Sequence, residues 1–220
     1  KRISIKEYIV KGFTMDDVRL KKEKSDYFDE LLERVRDIRS SEKVFYQKII
    51  DIYITSTDYS SKSGMSSLFF ATIQNKFHWA IHGHTAAELI VKRADSEKPY
   101  MGLTSWSGDK PRKKDIVIAK NYLSEPELKK LNLLVDQYLA FAELQAEERK
   151  TMRMVDWIEK LHGFLTLNNK EILADAGRVS KQMAKELAES EYRKYKEKER
   201  LATDETLSLD EMKERIRKLK

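Results

Sequence analysis

Glycine and proline are scarce, with seven and three in a chain of 220 residues, far below the roughly 12% that average usage gives. Sandwiches built from tight hairpins and doubly wound dinucleotide folds both depend on glycine at their turns, so an all-α chain is expected. The phosphate-cradling patterns GxxxxGK[ST] and GxGxxG are absent from the sequence, which sets aside P-loop and dinucleotide chemistry. Hydrophobic residues make up 40% against 36% charged, enough for a real core. With no cysteine, disulfides, thiolate catalysis and Cys-ligated zinc are excluded. No run approaches the roughly 18 apolar residues of a membrane span. The start, Lys1-Arg2-Ile3-Ser4-Ile5-Lys6-Glu7, has no apolar signal core, so a cytoplasmic protein without membrane contact is expected.

The net charge of +6 is unevenly placed. Residues 1–24 and residues 92–120 each carry eight Lys/Arg against four Asp/Glu. The second excess includes Lys98, Lys110, Arg112, Lys113, Lys114 and Lys120. Such a patch can meet phosphate electrostatically, or it can be a solvated loop beside an acidic partner surface.

Apolar spacing then divides the chain. Ile3, Ile5, Tyr8 and Ile9 form a short amphipathic stretch stopped by Gly12. Phe28, Leu31, Leu32, Val35 and Ile38 recur at helical spacing behind a Ser25 cap, and Ser41 restarts a run through Tyr53. These two segments are expected to lead into the core. A richly apolar helix follows from Ser63 to His82, ended by Gly83, with Thr85 and Glu88 as the capping box of the next. Residues 96–112 read as a loop, since seventeen residues there hold two of the three prolines. Asp115–Leu123 is expected to be a short helix. Ser124-Glu125-Pro126-Glu127 is the strongest helix start in the chain, and a further helix is expected over Met154–Leu167. Gly177 should interrupt the last long stretch, and Ser208 should open a separate final helix through Leu219. The charged tail from about Ser190 holds too few apolar positions for a core of its own, so it projects or docks on a neighbour.

Chemistry-bearing residues are few. His78 and His82 lie four apart on one helical face, the spacing of two imidazoles on one metal. Without an intervening Glu the pattern is weak, and a structural role is favoured, so no metal or cofactor is expected. Asn75, Lys76, His78, Gly83, Thr85 and Glu88 form a polar cluster at a helix junction. They either line a cleft or hold the junction as a buried network, and the network is favoured. Trp106, beside Lys110, Arg112, Lys113 and Lys114, could stack a base while the cations hold its phosphates. A tryptophan tucked into the core is the commoner outcome.

Several strings together resemble one family. They are Tyr27-Phe28-Asp29-Glu30-Leu31-Leu32-Glu33-Arg34-Val35-Arg36-Asp37-Ile38-Arg39, Phe70-Ala71-Thr72-Ile73-Gln74-Asn75-Lys76, Thr85-Ala86-Ala87-Glu88-Leu89-Ile90, Met101-Gly102-Leu103-Thr104-Ser105-Trp106 and Ala119-Lys120-Asn121-Tyr122-Leu123. Across about residues 4 to 195 the chain is similar to the RhuM family of bacterial virulence-associated proteins. The resemblance implies a cytoplasmic bacterial protein from pathogenicity islands, prophage or restriction-modification clusters, described as DNA-binding and bringing no established catalytic residue. It further implies that Ile5 to Val10 is the junction after a small DNA-binding domain that this chain lacks, through which DNA would be contacted. A more distant similarity links His78-Trp79-Ala80-Ile81-His82-Gly83-His84-Thr85-Ala86 to the HPFx[DE]GN[GK]R motif of Fic-type nucleotide transferases. His78 and Gly83 match it, while His82, His84 and Ala86 replace the acid, the Asn and the Arg. The expected organisation is a junction over 1–24, a helical core over 25–189 and a charged helical tail over 190–220. The expected function is a non-enzymatic, homo-oligomeric interaction domain of a DNA-associated regulator. The alternatives are nucleic-acid contact through the basic loop 98–120 and a divergent Fic-like transferase using His78.

Overall fold

Residues 5–20, 26–39, 41–58, 65–148 and 150–218 are described by a computed structural model. They form nine α-helices and two 3-10 turns, with no strand among them: α1 (Ile5–Lys11), α2 (Asp17–Leu20), α3 (Asp26–Arg39), α4 (Glu42–Ile54), α5 (Met65–His82), α6 (Ala86–Arg93), α7 (Glu125–Glu147), α8 (Met154–Leu167) and α9 (Lys181–Lys218). The turns span Pro99–Gly102 and Ala119–Tyr122. Ile3, Ser25, Ser63 and Leu219, which the sequence reading used, lie outside the described residues. Among the described residues no helix is long and apolar enough to cross a membrane.

Phe69, Ile73, Phe77 and Ala80 line one face of α5, and Phe70, Lys76 and His78 beside that face are buried as well, so the helix is satisfied only by packing on several sides. It sits against α4, α6, α7 and α8. Phe45, Ile49 and Ile52 of α4 cover one side; Leu131, Val135, Tyr138 and Ala142 of α7 and Trp157, Leu161 and Leu165 of α8 cover others. The Phe77 ring meets Phe45 and Tyr138 edge-on at 5.9 and 5.7 Å, the geometry that aromatic quadrupoles favour. The Tyr138 hydroxyl escapes isolation by donating to the Trp157 carbonyl at 3.1 Å. The α8 helix starts where expected because the Asp58 carboxylate accepts the Met154 amide at 3.0 Å.

Three local expectations change. Asp115–Leu123 is a turn followed by the short 3-10 segment Ala119–Tyr122. Side chains have taken the carbonyls that an α-helix would need: Asn121 Nδ2 donates to Asp115 O and the Tyr122 hydroxyl to Ile116 O, both at 2.9 Å. The second change is at Ser208, which starts nothing, because α9 runs unbroken to Lys218 through a stretch with no glycine or proline. The third concerns α3. It is attached to α7 by ion pairs, Glu33 to Lys129 at 2.5 Å and Arg39 to Asp136 at 2.8 Å. Phe28, Val35 and Ile38, expected to lead into the core, face solvent instead.

The most connected polar contact joins α6 to α7. Arg93 donates through both guanidinium nitrogens to Glu127 at 2.6 and 2.7 Å, and to the Tyr122 carbonyl at 2.6 Å. Glu127 also accepts the Ser124 amide at 2.8 Å, completing the cap of α7. Hydrogen bonds from Arg93 outweigh desolvation and, with those from Ser124, hold the Glu127 carboxyl down to about 2. Replacing Arg93 with Ala should lower unfolding free energy by about 1.5–3 kcal/mol in urea titration, the range for hydrogen bonds to charged groups. Since the folded pKa of Glu127 lies below its ordinary 4.5, its contribution is complete above that value and is lost as pH falls toward 2. Glu127→Gln should therefore flatten the stability profile across that acid window.

Candidate functional site

The junction between α5 and α6 gathers the polar residues that the sequence singled out. Gly83 ends α5 in the left-handed region, with its amide on the Trp79 carbonyl at 2.8 Å. Two residues later the Thr85 amide donates to Glu88 at 2.8 Å and the Glu88 amide donates back to the Thr85 hydroxyl at 3.3 Å, the anticipated capping box. Asn75 reaches across from α5 to accept the Ala86 amide at 3.1 Å.

The same cluster fastens the segment between α8 and α9. The second Glu88 oxygen accepts the Arg178 amide at 2.7 Å, and the buried Lys76 ammonium donates to the Leu173 carbonyl at 2.8 Å. Desolvation works to raise the Glu88 carboxyl, but the Arg178 and Thr85 hydrogen bonds outweigh it and leave it below the ordinary range. Burial alone pushes the Lys76 ammonium down. Gly177 lies so near Thr85 that a Cβ would sit 2.5 Å from its methyl carbon. Asn75, Lys76, Thr85 and Glu88 are thus all engaged within the chain.

The histidines form a chain of contacts of their own. His78 is only 2% exposed, and its Nδ1 lies 3.0 Å from His82 Nε2. His84 Nδ1 lies 2.6 Å from the His82 carbonyl. A carbonyl only accepts, so His84 carries its proton on Nδ1, which leaves Nε2 to accept from Lys92 at 3.1 Å. His82 Nδ1 has no partner among the described residues. No buried N–H is orphaned on it if His82 donates from Nε2 to His78. Burial, reinforced by the charge on His82, pushes the His78 imidazole down to about 3; burial takes His82 down to about 4. Both rings are neutral at physiological pH.

A cavity of about 30 Å³ adjoins His78, lined also by Phe45, Gln74, Phe77, Ile118, Lys120, Leu131 and Val135. That is room for one or two waters. Gly83, Glu88 and Trp106 do not line it. No group of three or more His, Asp or Glu side chains converges on a metal position among the described residues.

Trp106 is half-buried, its ring 4.5 Å from that of Tyr100 and packed on the core. Lys110 pairs with Glu199 and Lys113 with Glu189, the latter at 3.3 Å, both on α9. Arg112 and Lys114 are exposed. The acidic surface beside the basic loop is therefore this chain's own helix. Sequence reasoning missed that pairing and the Arg93–Glu127 clamp, whose acidic member was visible only as a helix cap.

Two outcomes follow for the junction. Gly177→Ala should lower the thermal midpoint markedly, whereas Gly83→Ala, which has open space at its Cβ, should pay only the left-handed backbone cost of about 1–2 kcal/mol. For the histidines, the unfolded chain takes up protons as pH falls through about 6.5 while the folded chain does not. Their stabilisation is present above that pH and lost below it, at about 1.4 kcal/mol per pH unit for each proton. In urea titrations from pH 7 to pH 5, His78→Gln with His82→Gln should show a shallower fall in stability than the parent.

No curated protein matches the chain. No solved structure matches it either. The sequence model of the virulence protein RhuM family matches residues 2–203. Because that match covers most of the molecule, the chain belongs to the RhuM family of virulence proteins.

Proposed function

We infer that this chain is a non-enzymatic helical interaction domain which self-associates and supports a DNA-associated regulator in the bacterial cytoplasm. One observation carries the reading. The N-terminal helices turn apolar side chains outward: Ile9 and Val18 are each 75% exposed and Ile38 is 61% exposed, with Ile5, Val10, Phe13, Tyr27, Phe28 and Val35 also exposed. Single exposed apolar residues are ordinary, but a group of this size along consecutive helices has the character of an interaction surface. The attachment of α3 by its charged side supports the same reading, because it leaves the apolar stripe free for a partner.

The other features fit a scaffold. His78 is a buried neutral imidazole hydrogen-bonded to another, which supports a structural role over proton transfer to a bound nucleotide. Lys110 and Lys113 already face carboxylates of α9, which supports the basic loop as a seat for that helix.

Sedimentation velocity of the full chain across the micromolar range should show a concentration-dependent dimer or larger species. Ile38→Asp with Val35→Asp should weaken association at least tenfold while leaving the helical circular dichroism unchanged. A monomer at tens of micromolar would overturn the reading.

A further inference from the structure

No described residue of α3 is buried. Its neighbour α4 is anchored in the core by Phe45, Ile49 and Ile52, whereas α3 has Leu31 and Leu32 only half-buried and is held on α7 and its approach through charge. Glu33 meets Lys129 at 2.5 Å, Asp37 meets Lys120 at 2.9 Å, Arg36 and Arg39 share Asp136 at 3.7 and 2.8 Å, and Arg39 reaches on to Glu143 at 3.3 Å. Lys129, Asp136 and Glu143 are seven apart and so form one stripe along α7. Asn132 belongs to the same face; it is 8% exposed, with its amide nitrogen 3.5 Å from Asp37. Beyond α3 the chain turns at once into α4, where the Ser41 amide and hydroxyl both donate to the Ile38 carbonyl, at 3.2 and 2.7 Å.

We propose that α3 is a strap closed by this charged clasp, which rising ionic strength releases from α7 while the core stays folded. A network in which one carboxylate serves two guanidinium groups holds better than isolated surface pairs, yet solvent-reached charges remain open to screening. Every side chain in the clasp is at least 18% exposed, so salt reaches all of it. The turn at Ser41 is the hinge, because α4 is fixed by its own buried residues. Release uncovers Asn132 and takes Asp37 away from Lys120, a side chain that also lines the cavity beside His78. Once free, α3 has only its 14 residues to sustain it, a length marginal in water, so its amides lose protection. The opening belongs to a single copy and does not depend on self-association.

Hydrogen exchange of the full, unmodified chain tests the strap. Raising sodium chloride from about 0.05 to about 0.5 M should speed exchange of the α3 amides about tenfold or more, while those of α5 and α7 keep their protection. Asp136→Asn removes the carboxylate that two arginines share, so α3 should then exchange at the fast rate already in low salt, and added salt should change it little. A third arm uses the absence of cysteine from the chain: Asn132→Cys should react with a thiol reagent at a rate that rises with salt in step with α3 exchange. Exchange of α3 that ignores salt overturns the proposal. So does exchange of α3 together with α5 and α7, which is unfolding of the whole molecule. A thiol at position 132 that stays blocked while the α3 amides exchange also overturns it, because the helix then frays in place. Should Asn132→Cys not fold, the two exchange arms decide.

Discussion

The Arg93 guanidinium is the contact on which the middle of the molecule depends. It binds Glu127, 34 residues away, and the Tyr122 carbonyl in between, so it closes the excursion between α6 and α7 at its base. Glu127 at the same time caps α7 through Ser124, so direction and position of the longest internal helix are set together. Loss of this clamp would leave a carboxylate and a carbonyl short of their donors, and it would free a loop whose Met101, Ile116 and Tyr122 are buried in the core. The loop is held tightly enough to carry strain. Tyr100, Met101 and Gly102 all have left-handed backbone, and a Cβ on Gly102 would come within 2.5 Å of the Arg93 carbonyl. Such conformations cost about 1–2 kcal/mol per non-glycine residue, and here they are offset by burial of Met101 and by the tilted contact of the Tyr100 ring with Trp106.

The closed loop in turn receives α9. Ala184 and Ala188 are buried, and small side chains let the helix approach α6 closely. Polar contacts then run along its length: Glu191 accepts the Ser96 amide at 2.8 Å, Tyr192 donates to the Pro111 carbonyl at 3.3 Å, and Lys198 pairs with Glu97. Isolated surface pairs contribute little individually. Their importance is in register: Glu189 and Glu199 of α9 meet Lys113 and Lys110, while Lys198 meets Glu97, so pairs of both polarities fix how the helix lies along the loop.

How much of this was legible depends on range. Helix ends written in local chemistry could be read directly: Gly12, Gly83, the Thr85–Glu88 box and the Ser124–Glu127 start all stand where expected. At the same junction Asn75, Thr85 and Glu88 spend their hydrogen bonds within the chain. What escaped was settled by partners distant in sequence. Amphipathic spacing in α3 reveals an apolar side but not which side touches the body, and charges on its opposite face settled that. Asn121 and Tyr122 broke a plausible helix by claiming carbonyls at Asp115 and Ile116. The Arg93–Glu127 pair could not be seen because Glu127 had already been explained as a cap.

The contrast between the two ends of the described chain bears on how association would work. The core helices are stabilised by tertiary burial, the usual source of helical stability in proteins. The seven-residue α1 has none, and isolated helices shorter than about 12 residues are marginal in water. Any partner that buries Ile5, Tyr8 and Ile9 must first offset the entropy of fixing the helix, and only the remainder would appear as affinity. Association of this kind is weaker than its contact area suggests and responds to anything that stabilises α1 alone. The Glu7–Lys11 pair does that in a small way, so association through α1 would be sensitive to salt even at an apolar interface.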